Sequence, residues 1–85
     1  MSNTLTPQGL ESCLAFGAAS LAVMEAAEEL ERAGAHEGPA AASYRELATS
    51  HDRLRRLFAD GATDGLPELA LSVMVLAERT VSLLA

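Results

Sequence analysis

Two short interruptions constrain this chain more than any other feature: Gly34-Ala35-His36-Glu37-Gly38-Pro39 and Gly61-Ala62-Thr63-Asp64-Gly65-Leu66-Pro67. Glycine accepts the left-handed conformation just past a helix end, and proline suits the first helical position. Around these breaks the residues favour helix, with seventeen alanines and fourteen leucines among 85. The sequence therefore reads as one all-α domain of three helices, about 7–33, 40–60 and 66–85, with 1–6 a flexible N-terminus. Thr6-Pro7 fits an N-cap followed by proline at the first helical position. Helix 2 starts at Pro39 or at Ser43, where Ser43-Tyr44-Arg45-Glu46 fits a capping box.

Apolar residues recur at steps of three and four in all three helices. In helix 2, Tyr44, Leu47, His51, Leu54 and Phe58 form one stripe, opposite Arg45, Thr49, Asp52, Arg53 and Arg56. The other two helices each carry two stripes. In helix 1, Phe16, Ala19, Val23, Ala26, Leu30 and Ala33 form one; Leu10, Leu14, Gly17, Leu21 and Met24 form a second, read as displaced by about 100° around the axis. In helix 3, Leu66, Leu69, Val73, Leu76, Thr80 and Leu83 form one stripe, and Ala70, Met74, Ala77, Val81 and Leu84 the other; Leu71 and Val75 fall outside both.

A monomeric three-helix bundle needs one apolar face per helix. Burying five further Leu- or Val-sized side chains contributes on the order of 7–15 kcal/mol before conformational entropy, comparable to the whole stability of a small domain. The spare stripes therefore predict a covering partner, most simply a second copy in a dimeric helical bundle. The expected self-association residues are Leu14, Leu21 and Met24 on helix 1 with Leu69, Val73, Leu76, Val81 and Leu84 on helix 3. Another protein could cover the same surface.

Charge narrows the partner class. Twelve acids against six bases give a net charge of −6. That balance argues against nucleic acid and against an anionic membrane surface. The tract Leu66–Ala85 is about long enough to span a bilayer, yet carries Glu68, Glu78 and Arg79, each costing roughly 2.5–3.5 kcal/mol on insertion. No secretory n-region precedes helix 1, and the single cysteine, Cys13, fits a reducing cytoplasm. All six bases are arginine, as codon bias in a GC-rich bacterium would give. Glu25, Glu28 and Glu29 at the end of helix 1, with Arg53 and Arg56 on helix 2, are candidate partner-facing charges.

Chemistry is sparsely signalled. His51, with Asp52 beside it, is the one candidate for catalysis or phosphotransfer. Ser50-His51-Asp52-Arg53-Leu54-Arg55 partly resembles the H-box of histidine kinases, Ser-His-Glu-Leu-Arg-x-Pro-Leu. It has an extra residue before the leucine, and Arg56 stands where proline would be. Glu25-Ala26-Ala27-Glu28 supplies half of the Glu-x-x-Glu and Glu-x-x-Asp pattern with which all-helical pyrophosphohydrolases hold magnesium; the second half does not follow. No cofactor or metal is expected, and a small-molecule ligand is not favoured by close-packing alanine-rich helices. Cys13 is expected as a small core residue, and His36 as exposed in the first turn. The chain thus reads as a non-enzymatic protein-interaction module (an adaptor, regulator or antiactivator, immunity protein or docking subunit) working as a homodimer. The alternative is a small helical enzyme or phosphotransfer protein using His51.

Overall fold

The computed structural model describes residues 6–84, so the expectations for residues 1–5 and for Ala85 lie outside it. Three helices follow in order: α1 Pro7–Ala33, α2 Pro39–Ala59 and α3 Leu66–Ser82. Each starts with proline in its first turn, where the missing N–H has no intrahelical partner to lose. Thr6 caps α1 by accepting a 2.9 Å hydrogen bond from the Gly9 amide. Gly34, at φ 65°, ends α1 in the left-handed region. The last helix stops at Ser82, with Leu83 and Leu84 in a turn.

The helices run up, down and up in a rod of 50 × 17 × 16 Å. Phe16 of α1 stacks on Phe58 of α2 with ring centroids 4.3 Å apart, fixing the antiparallel register of that pair. The shared core consists of Ala19, Val23 and Ala26 from α1, Leu47 and Leu54 from α2, and Leu66, Ala70, Val73 and Ala77 from α3.

Of the two starts open to helix 2, the structure uses Pro39, and the capping box at Ser43 does not form. Pro39 starts the helix a full turn earlier, and Ser43 is buried inside it. Its hydroxyl lies 2.7 Å from that of Thr80 on α3. Thr80 gives its one proton to the Leu76 carbonyl at 2.8 Å, so Ser43 is the donor between the two hydroxyls. This buried pair ties α2 to α3 through a residue that periodicity placed in an apolar stripe.

The two stripes of α3 are the flanks of one face. At about 100° per residue, Leu66, Ala70, Val73, Ala77 and Thr80 fall on a single line midway between them, and these five are the buried residues of α3. The Met74–Val81 flank borders α1, and the Leu76–Arg79 flank borders α2. Val73 is wholly buried in the chain's own core and therefore leaves the set of self-association residues. Leu69, Leu76, Val81 and Leu84 are half-buried, while Leu71, Val75 and Leu83 are exposed.

Candidate interaction face

The displacement of about 100° between the α1 stripes is corrected to about half a turn. From Leu14 to Phe16 is already about 200°, and the remaining residues keep that separation. The first stripe supplies the inward side of α1, with Ala19, Val23 and Ala26 buried and Phe16 half-buried. The second points directly away from the bundle. Leu14 is 66% exposed, Leu21 56% and Met24 59%, with Leu10 exposed beside them. Beside Phe16 and Val23, helix α1 thus turns alanines inward and leaves three leucines and a methionine outward, against what burial favours in an isolated chain.

No charge interrupts this line between Leu10 and Met24; Glu11 and Glu25 lie along one edge. Toward α3 that edge opens into a groove of about 490 Å³, lined by Ala22, Glu25, Leu71, Met74 and Val75 among others. Cys13, expected in the core, is exposed, and so is His36. By length and composition α1, and not the tract Leu66–Ala85, is the one helix among the described residues apolar enough to cross a membrane. Within the fold its inner side packs on α2 and α3.

Two of the five charged candidates, Glu29 and Arg56, are paired within their own helices. Arg32 donates to Glu29 within α1. Asp52 accepts from Arg55 at 2.8 Å and from Arg56 at 2.7 Å. Among the described residues, Glu25, Glu28 and Arg53 are exposed and make no ion pair. No group of three or more His, Cys, Asp or Glu among them is placed to hold a metal ion.

His51 is half-buried on the α1 side of α2. Its Nε2 lies 3.0 Å from the Ser20 hydroxyl, and its ring is loosely stacked on Phe16 at 6.2 Å. Burial, and secondarily the positive charge of Arg55, hold its pKa below 6.5; Asp52 opposes them. Asp52 makes no hydrogen bond to His51; its two oxygens accept from Arg55 and Arg56. The Arg55 hydrogen bond, followed by the Arg56 charge, holds its carboxyl below the ordinary range for aspartate. Ser20 was missed in the sequence, although it follows Phe16 by one helical turn on the side facing α2. A Ser–His contact is half of what nucleophilic catalysis needs, but the acid that would orient the imidazole is turned away. The arrangement accounts for His51 as a polar contact between α1 and α2.

No known protein family, curated protein or solved structure matches the chain.

Proposed function

We propose that this chain is a non-enzymatic protein-interaction module that works in the cytoplasm as a homodimer, joined through the outer face of α1. One observation carries the reading. Leu10, Leu14, Leu21 and Met24 stand exposed on one side of a helix whose other side already supplies the chain's core. Such a contiguous apolar line on a soluble domain marks a contact surface. An adaptor, regulator, immunity protein or docking subunit would use the remaining acidic exterior toward its target.

Light scattering over a wide concentration range tests the reading, with Leu21→Glu as the comparison. Because Leu21 is exposed, glutamate there leaves the single-chain core intact. A wild-type dimer and a helical, monomeric Leu21→Glu variant are the expected result. A well-behaved wild-type monomer would sink the homodimer. Flotation of the chain with neutral lipid vesicles would give α1 a bilayer in place of a second copy.

Chemistry at His51 is the second reading, favoured by the Ser20–His51 contact beside an open groove. A folded His51→Ala protein that loses a phosphotransfer or hydrolytic activity of the wild type would support it. Loss of stability alone returns His51 to a structural role.

A further inference from the structure

We propose that two copies pair α1 against α1 in antiparallel orientation, about a twofold axis at Gly17. The inference rests on the homodimer reading and specifies its geometry. Three independent features of α1 lead to it.

The first is Gly17 itself. A glycine inside a helix costs about 1 kcal/mol relative to alanine. Nothing in the chain repays that cost, because a Cβ built on Gly17 meets no atom within 4 Å. It is exposed, has no positive φ, and sits in the middle of the outward apolar line. A helix interior glycine facing empty space is explained if another backbone approaches there.

The second is the symmetry of the line. Leu10 lies seven residues before Gly17 and Met24 seven after; Leu14 lies three before and Leu21 four after. A twofold axis makes an interface self-complementary, each patch facing its own copy. Centred on Gly17, it sets Leu10 opposite Met24 of the second copy and Leu14 opposite Leu21, with the smallest residue where the helices cross.

The third is charge. Glu28 continues the same line one turn past Met24 and is exposed. In a parallel pair, Glu28 would face Glu28, and the two clusters of Glu25, Glu28, Glu29 and Glu31 would crowd one end. In the antiparallel pair Glu28 faces the N-terminal end of the second copy's α1, where the positive end of the helix dipole favours a carboxylate. The remaining like-charge approach is between Glu11 and the second copy's Glu25, along one edge.

Disulfide trapping decides the geometry. Two single-cysteine chains are made in a Cys13→Ser background, one Leu14→Cys and the other Leu21→Cys, distinguished by a size tag. They are mixed and mildly oxidised, and light scattering on the reduced chains is run in parallel. In the proposed pair, residue 14 lies beside residue 21 of the other copy, while the two copies of residue 14 are about 9 Å apart along the axis, too far to bridge. Expected is a mixed 14–21 disulfide in large excess over either homodimeric one. Disulfides of 14–14 and 21–21 in a dimeric sample would mean a parallel pair, overturning this geometry and leaving self-association through α1 in place. Dimeric mass with no trapping of any kind would overturn both the geometry and the use of this face. Monomeric chains throughout would remove the homodimer and this inference together.

Discussion

Helices α1 and α2 both carry apolar residues at three-four spacing, yet α2 does so on one face and α1 on two opposite faces, with side-chain size distributed differently. The inward positions of α2 include Leu47 and Leu54, both without exposed surface, and its outward side carries Arg45, Arg53, Arg55 and Arg56. The wholly buried residues of α1 are Ala19 and Ala26, while its leucines at 10, 14 and 21 face outward. An α2-type helix is finished within one chain. An α1-type helix contributes close packing to its own chain and keeps its larger apolar area for another surface. Apolar spacing alone does not separate the two cases; the size of the residues on each stripe does.

Truncating each kind of leucine breaks this comparison most directly. Leu54→Ala should cost about 2–5 kcal/mol of stability in urea unfolding, because it removes a fully buried side chain from a closed core. Leu21→Ala, measured where the chain is monomeric, should stay within about 0.5 kcal/mol of wild type and instead weaken self-association. Equal losses for both, independent of concentration, would mean that Leu21 also faces the chain's own core.

The link between α2 and α3 gives the next largest effect. Thr80→Val leaves the Ser43 hydroxyl buried without its acceptor and should cost about 1–3 kcal/mol. Adding Ser43→Ala should recover most of that loss, since both polar groups are then gone. A double variant as unstable as the single one would assign the cost to packing around Thr80.

Gly17→Ala sharpens the contrast through opposite signs. In the monomer it should stabilise by up to about 1 kcal/mol, because the added methyl has free space and better helix propensity. The same methyl at a helix crossing should weaken association about tenfold, within the 1–3 kcal/mol range of overpacking. Tighter association on Gly17→Ala would place the crossing elsewhere.

The smallest expected effect is on pH. The folded pKa of His51 lies below 6.5, so the unfolded chain takes up this proton first as the pH falls. Its contribution to stability is complete above pH 6.5 and declines as the pH drops from there through the folded pKa. Asp52, with its folded pKa also lowered, adds a separate loss only in the acid range below its ordinary value of 3.8. His51→Gln should flatten the melting-temperature profile just below pH 6.5 and leave the acid limb unchanged. A wild-type profile already flat there would show that folding leaves this imidazole unperturbed.

The sequence by itself determined three helices and the two breaks between them, while leaving Pro39 and Ser43 as alternative starts of the second. Proline in each first turn, the Thr6 cap and Gly34 act through backbone geometry within a few residues, so no distant contact could override them. It also determined the inward line of α2, where one face is apolar and the other carries arginines. Tertiary structure alone decided which side of α1 turns inward, because both of its stripes have the same three-four spacing. That side is set by Phe16 stacking on Phe58 and by alanines that let α1 and α3 pack closely. It likewise merged the two stripes of α3 into one face, since a helix set between two neighbours buries both flanks, and so took Val73 from a proposed interface into the core. Ser43, read as a helix cap, became a buried partner of Thr80 for the same reason: hydrogen bonds between helices depend on rotation and register, which local patterns do not specify.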